Sequence, residues 1–179
     1  MLTDQKIDEM LIDTQTDHLS KYPDLYIRHY LEQYRVYLRA FTSMVERRQK
    51  SNEFFLSINT AIMAVLGYIE TQAVPIVHSA LIFSIVPFIG IVICYSWALA
   101  VRSYRQVAQA KYKVIHRLER RLPAALFETE WEILGRGKDP SRYYPLSRVE
   151  KNIPLIFILL YLVIFLANSP LLSLLQNYR

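Results

Sequence analysis

Three stretches of this 179-residue chain carry no charged side chain. They cover residues 54–69, 71–101 and 152–178, and they are 16, 31 and 27 residues long. A helix needs roughly 20 mostly apolar residues to cross the hydrocarbon core of a bilayer. These lengths predict an all-α integral membrane protein, in which a transmembrane helical hairpin is followed by a third C-terminal apolar helix.

The charged residues divide the chain into segments. We predict a cytoplasmic N-terminal helical region at 1–53, a transmembrane hairpin at 54–101 with helices at 54–71 and 75–101, a basic cytoplasmic helical segment at 102–153, and a third transmembrane or re-entrant helix at 154–175. The third helix could span the membrane or re-enter it, because Asn168 and Pro170 interrupt it after a purely apolar run of only 13 residues.

Lysine and arginine are distributed unevenly around these spans. Residues 102–151 contain 12 basic and 6 acidic groups, whereas the connection from Glu70 to Pro75 contains one acid and no Lys or Arg. Cytoplasmic loops are enriched in Lys and Arg. We therefore expect the N terminus and the long cytoplasmic helices on the inner side of the membrane and the Glu70–Pro75 connection on the outer side. The first twenty residues lack an apolar core, so we expect no cleaved signal peptide.

A stripe of side chains follows the helix start predicted at Pro23, at alternating steps of four and three residues. Its members are Ile27, Leu31, Tyr34, Leu38, Phe41 and Val45, followed by Arg48, Asn52, Phe55, Asn59, Ile62, Leu66 and Ile69. This spacing is typical of a heptad seam. It predicts one unbroken helix that enters the first span and packs one face against another helix.

Two interpretations of the stripe are open. In the first, it is an interface between subunits, because buried asparagines set the register of helix bundles. The candidate interface residues are Tyr34, Leu38, Phe41, Asn52 and Asn59. In the second, the stripe packs on the chain's own second cytoplasmic helix, and Asn59 is satisfied by a nearby backbone carbonyl.

Residues with catalytic or metal-binding chemistry are sparse or unsuitably spaced. Cys94 is the only cysteine, and the four histidines lack the spacing of a metal site. Glu128, Glu130 and Glu132 alternate along the chain and do not share a helix face. We expect no enzymatic activity, metal or other cofactor. The basic residues flank membrane spans, where topology and anionic lipid explain them, so we expect membrane lipids rather than nucleic acid as partners.

A block of residues after the second span has a distinctive order. It contains Trp97, Arg102, Ser103, Tyr104, Arg105, Ala110, Lys111, Tyr112, Val114 and Ile115, and it extends to Leu118, Glu119, Leu122, Pro123, Glu130 and Trp131. This block resembles the signature of the RipA-like octameric membrane proteins, which are small bacterial inner-membrane proteins. In that pattern Leu and Asn follow the second arginine, whereas here Val107 and Ala108 follow Gln106.

The resemblance implies a homo-octameric ring in the bacterial cytoplasmic membrane, in a family associated with growth of pathogens inside host cells. The cytoplasmic family block comprises Trp97, Tyr104, Arg105, Lys111, Glu130 and Trp131. Of these residues, we expect Tyr104, Arg105, Lys111 and Trp131 to make structural contacts within the cytoplasmic ring. We therefore expect a scaffold for envelope function or intracellular growth. The alternative is an ion or small-solute channel formed by the same oligomer, because Ser57, Asn59 and Thr60 form a polar stretch in the first span. Related small membrane proteins also resemble effectors of bacterial antiphage systems, which leaves a membrane-permeabilising role open.

Overall fold

The computed structural model describes residues 4–11, 23–71, 76–138, 141, 143 and 146–168. These residues form helices and no strand, so the predicted all-α class is confirmed. The helices are α1 (Asp4–Leu11), α2 (Pro23–Thr71), α3 (Ile76–Glu119), α4 (Leu126–Ile133) and α5 (Leu146–Ala167), with a 3-10 turn at Gly135–Gly137. Most of the predicted outer connection and the end of the predicted third span, residues 72–75 and 169–175, lie outside the described residues.

Three described helices are long and apolar enough to cross a membrane. The candidate spans lie in Pro23–Thr71, Leu81–Glu119 and Val149–Ala167. The predicted unbroken first helix is confirmed, since α2 is one helix of 49 residues. The third helix begins at Leu146 rather than at the predicted Pro154, because the polar residues before Pro154 also adopt helical structure.

The chain divides into two compact units. The first unit comprises residues 1–45 and 108–143, and the second comprises residues 46–107 and 144–179. In the first unit, the ring of Phe41 on α2 packs edge-on against Tyr112 on α3, with 4.9 Å between the ring centroids. Arg117 Nη1 lies 2.6 Å from Asp8 Oδ1 and connects α1 to α3.

Each long helix of the second unit turns a heptad-spaced face inward. One row of buried or half-buried residues runs along each helix, with further half-buried residues such as Ile58, Ile91 and Ile158 beside it; the rows are Arg48, Asn52, Phe55, Asn59, Ile62, Leu66 and Ile69 on α2, Phe83, Pro87, Gly90, Cys94, Trp97 and Val101 on α3, and Glu150, Pro154, Phe157, Tyr161 and Ile164 on α5. All three sets advance by alternating steps of three and four residues. Helices that share this 3.5-residue period stay in contact over many turns.

The middle position within the second unit belongs to α3. In its most apolar stretch 28% of the residues are buried, against 11% in the corresponding stretches of α2 and α5. Large apolar side chains such as Phe54, Phe88 and Val163 are exposed on the outer faces of the helices. Apolar outer faces of this kind suit contact with lipid or with neighbouring subunits.

The chain turns sharply between α3 and α4. The α-helical hydrogen bonding of α3 ends at Glu119, four residues before Pro123. The N–H groups of Arg121 and Leu122 instead donate to the carbonyls of Leu118 and Glu119, at 3.2 and 2.9 Å. This tighter turn brings the Glu119 side chain to the start of α4, where it accepts the hydrogen bonds described below.

A left-handed turn follows α4. Gly135, Arg136 and Gly137 have φ angles of 65°, 52° and 67°, a region that glycine adopts without a steric penalty. A Cβ atom at Gly137 would lie 3.1 Å from the ring of Trp131. Glycine at position 137 therefore permits both the backbone conformation and the close packing of the indole.

Gly90 lets α3 and α5 approach closely in the second unit. A Cβ atom at position 90 would overlap the ring carbons of Tyr161, whereas a Cβ atom at Gly67 on α2 would meet nothing within 4 Å. Both glycines lie inside long apolar helices, so they form a matched pair for mutation.

We predict that Gly90→Ala destabilises the second unit by about 1–3 kcal/mol, because the added methyl group overpacks the contact with Tyr161. Gly67→Ala is expected to be neutral or to stabilise α2 by up to about 1 kcal/mol, since alanine has the higher helix propensity. Thermal unfolding of the detergent-solubilised protein, followed by circular dichroism, measures both effects. Equal melting temperatures for the two variants would contradict the close approach of α3 and α5.

Candidate functional site

A single amide side chain connects the three long helices of the second unit. Asn59 on α2, Cys94 on α3 and Tyr161 on α5 are all completely buried. The Cys94 thiol and the Tyr161 hydroxyl both donate to Asn59 Oδ1, at 3.0 and 3.1 Å. Asn59 Nδ2 donates to the Phe55 carbonyl of its own helix at 2.7 Å. An unpaired amide is costly in an apolar interior, so this pairing favours one arrangement of the three helices.

A second polar contact lies two helical turns earlier on α2. Trp97 Nε1 donates to Asn52 Oδ1 at 2.9 Å, and the indole is only 2% exposed. The Phe55 ring is stacked on the indole with 5.8 Å between centroids, and Phe157 of α5 lies 6.3 Å from it. Trp97 therefore contacts both flanking helices while its one polar group is hydrogen-bonded.

A charged contact lies one helical turn before Asn52 on the same seam of α2. Arg48 Nη2 of α2 lies 3.5 Å from Glu150 Oε1 of α5, and the two side chains are 22% and 14% exposed. The Nε atom of Arg48 is buried and has no hydrogen-bond partner among the described residues. The seam of α2 thus changes from a charged contact at Arg48 to amide contacts at Asn52 and Asn59, each joining α2 to another helix.

In the first unit, a buried carboxylate holds the start of α4. Glu119 is only 1% exposed. Its Oε1 accepts hydrogen bonds from the Tyr34 hydroxyl and the Phe127 backbone N–H, both at 3.0 Å, and its Oε2 accepts from the Glu128 N–H at 3.2 Å. N–H groups at a helix start are otherwise unsatisfied, and several donors to a carboxylate compensate for its burial.

Tyrosine side chains line the face of α2 that packs in the first unit. The Tyr30 hydroxyl donates to the Leu118 carbonyl at 2.5 Å, and Lys111 Nζ lies 4.6 Å from the centroid of the Tyr37 ring. Burial, together with the hydrogen bond to Glu119, raises the pKa of Tyr34 to about 12. The Tyr34 hydroxyl therefore keeps its proton at neutral pH and remains a donor.

The structure places most of the predicted interface residues in contacts within one chain. Tyr34 binds Glu119, Phe41 packs on Tyr112, Asn52 binds Trp97, and Asn59 binds Cys94 and Tyr161. Leu38 is half-buried. The second interpretation of the stripe describes these contacts, including the local carbonyl that Asn59 uses. An intersubunit role for the five residues stays a prediction.

The six residues assigned to the cytoplasmic block belong to two different units. Trp97, Tyr104 and Arg105 lie in the second unit, and Lys111, Glu130 and Trp131 lie in the first. Trp97 is buried, Tyr104 and Lys111 are half-buried, and Arg105, Glu130 and Trp131 are exposed. Trp131 packs against Gly137 and lies 6.4 Å from the ring of Tyr143. Their role in a cytoplasmic ring stays a prediction.

Sequence reasoning did not identify the partners of Asn59 and the role of Glu119. Tyr161 was a detectable signal, since a tyrosine inside a charge-free apolar run needs a partner for its hydroxyl. In the sequence, Cys94 stands out only as the single cysteine. Glu119 binds donors from α2 and α4, and no local pattern indicates such a contact. Among the described residues, no group of three or more His, Cys, Asp or Glu side chains is placed to hold a metal ion.

Comparison with known proteins agrees with this architecture of apolar helices. A model of the octameric membrane protein family (8xMP) matches residues 31–170, which include most of α2 and all of α3, α4 and α5. The chain belongs to the octameric membrane protein family. The expected resemblance to RipA-like octameric membrane proteins is thereby confirmed at the level of the family. No curated protein and no solved structure shows a significant match to this 8xMP chain.

We predict that Asn59→Ala destabilises the second unit by about 1–2 kcal/mol, because Cys94 and Tyr161 lose their shared acceptor. The double variant Asn59→Ala with Tyr161→Phe should lose less unfolding free energy than the two single variants together. The difference should be up to about 1.7 kcal/mol, the upper range for hydrogen bonds between membrane helices. Reversible unfolding in detergent measures all three variants.

Ser96→Ala is a suitable control, because Ser96 is exposed and its hydroxyl bonds to the Val92 carbonyl of its own helix at 3.0 Å. This change should be additive with Asn59→Ala. If the unfolding free energies lost by Asn59→Ala and Tyr161→Phe also add up in the double variant, the two side chains are not coupled.

We predict that Glu119→Gln loosens α4, since an amide replaces an oxygen that accepts hydrogen bonds from backbone N–H groups. Losing one such acceptor costs about 1–3 kcal/mol, so amide hydrogen exchange at Phe127 and Glu128 should accelerate roughly five-fold or more. Glu32→Gln, at an exposed position of α2, should leave that exchange unchanged. Equal protection of the two amides in both variants would rule out the proposed cap.

Proposed function

We propose that the chain is a non-enzymatic scaffold that forms a homo-octamer in the bacterial cytoplasmic membrane. In this proposal the N-terminal region and the basic segment 102–153 lie in the cytoplasm, and the spans contact membrane lipids. The family match to octameric membrane proteins supports the oligomer, and the excess of basic residues in 102–151 supports the orientation.

The observation that carries the scaffold proposal is the use of the buried polar groups. In the second unit, Asn59 connects three helices, and the hydrogen bond between Trp97 and Asn52 connects two. In the first unit, Glu119 binds the start of α4. The hydrogen-bonding atoms of these residues are paired with other parts of the same chain. Polar groups used in this way favour one rigid arrangement of helices, which suits a subunit of a defined assembly.

The resemblance of the sequence block to RipA-like proteins extends this proposal to the cellular role. We infer a contribution to envelope function or to growth inside host cells, with assembly rather than chemistry as the activity. Lipid contact follows from the exposed apolar side chains of the spans.

A channel formed by the same octamer is the second candidate. It is favoured by the exposure of Ser57 and Thr60 on the first span, since exposed hydroxyls on neighbouring copies could line a shared axis. Asn59 contributes nothing to such a lining in this arrangement, because it is buried inside the second unit.

We predict a native mass of eight times the 21.1-kDa chain for the detergent-solubilised particle, after correction for bound detergent. Light scattering or native mass spectrometry measures it. In planar bilayers the scaffold proposal predicts no conductance by the same particle across voltage and pH. A monomer or dimer would overturn the octamer.

A steady ionic current would favour the channel, provided that Ser57→Leu with Thr60→Leu abolishes it. Ser96→Leu serves as the matched control, because it changes an exposed hydroxyl on a different span.

A further inference from the structure

The helix α4 presents apolar side chains that no described part of the chain covers. Leu126 and Ile133 are 69% and 70% exposed, and α4 contains no buried residue. Leu126, Glu130 and Ile133 are spaced by four and three residues, so they lie on one side of the helix. We call this set the α4 face.

The α4 face is nevertheless held in a fixed position within the first unit. Glu119 accepts two N–H groups at the start of the helix, and the left-handed turn at Gly135–Gly137 follows its end. Apolar side chains that lie together on the surface of an anchored helix form a patch that a partner can cover.

A second exposed face lies at the beginning of α2 in the same unit. Ile27 and Leu31 are 56% and 36% exposed. They start the heptad stripe, but its later members Tyr34 and Phe41 are the ones that contact α3. Arg28 and Arg35 are exposed beside them. We call Ile27, Arg28, Leu31 and Arg35 the α2 face.

The two faces are complementary in charge as well as in polarity. Each contains two exposed aliphatic residues, and one adds Glu130 where the other adds Arg28 and Arg35. None of these three charged side chains forms an ion pair with another described residue. Opposite charges beside apolar contacts set the partner and the register of an interface more than its total strength.

The pairing of two different faces is compatible with a ring. The faces lie on different helices of one unit, so the α4 face of each copy can bind the α2 face of the next, and a head-to-tail contact that closes generates a cyclic oligomer. We propose that the α4 face of one copy packs on the α2 face of the next copy around the octamer. This inference rests on the homo-octamer proposed above.

Charge reversal in the full-length protein tests this contact. Reversal of the α4 face by Glu130→Arg, and reversal of the α2 face by Arg28→Glu with Arg35→Glu, made separately, should each replace the octamer by smaller species in native mass measurements. The two reversals in one chain restore opposite charges between the faces and should recover the octamer. Glu9→Arg, an exposed reversal on α1, should leave the octamer intact.

Interchain cross-linking tests the same contact by proximity alone. A chain carrying both Leu31→Cys and Ile133→Cys should form a disulfide-linked ladder of up to eight copies under mild oxidation, whereas each single variant should not. The native cysteine, Cys94, is completely buried and adds no background.

The outcomes separate this inference from the proposed function. An octamer that persists in both reversal variants, or that gives no ladder, overturns the contact and leaves the octamer standing. A wild-type chain that is a monomer or dimer overturns the octamer itself. A ladder together with rescue by the double reversal establishes the contact.

Discussion

Helices that remain in contact over many turns must present their contact residues at a common period, and the second unit satisfies this requirement with three seams of the same 3.5-residue spacing. The hydrogen bonds between the helices depend on how the seams are aligned along the helix axes. Asn52 and Asn59 lie seven residues apart on one seam, and their partners Trp97 and Cys94 lie three residues apart on another. A slip along either helix would separate donors from acceptors, so the hydrogen bonds and the seams favour the same alignment.

The two units solve the burial of a polar group in the same way. Asn59 in an apolar interior and Glu119 in the first unit each present oxygen atoms to donors from more than one element. The Asn59 amide remains uncharged, which suits a medium where a carboxylate would be far more costly. Glu119 accepts hydrogen bonds from two backbone N–H groups and a tyrosine hydroxyl.

The long first helix and its packing face could be predicted because charged residues separate the apolar positions before residue 54. The seam of α3 could not be predicted in this way, since every neighbour of Phe83 and Cys94 is also apolar or small and the pattern has no contrast. The partner of the stripe could not be chosen either, because a heptad seam looks the same within one chain and between two. The bond between Tyr161 and Asn59 joins residues 102 positions apart, so no local pattern reveals it.

The hydrogen bonds of Asn59 also bear on how the protein is synthesised. The helix α2 precedes α3 and α5 in the chain, so the Asn59 amide leaves the ribosome before Cys94 and Tyr161 do. Its nitrogen has a carbonyl of its own helix at once, through Phe55, but its oxygen acquires donors only as the later helices arrive. Burying the Asn59 oxygen in the bilayer therefore costs most when α2 inserts alone. The cost falls when α3 and α5 supply the donors Cys94 and Tyr161.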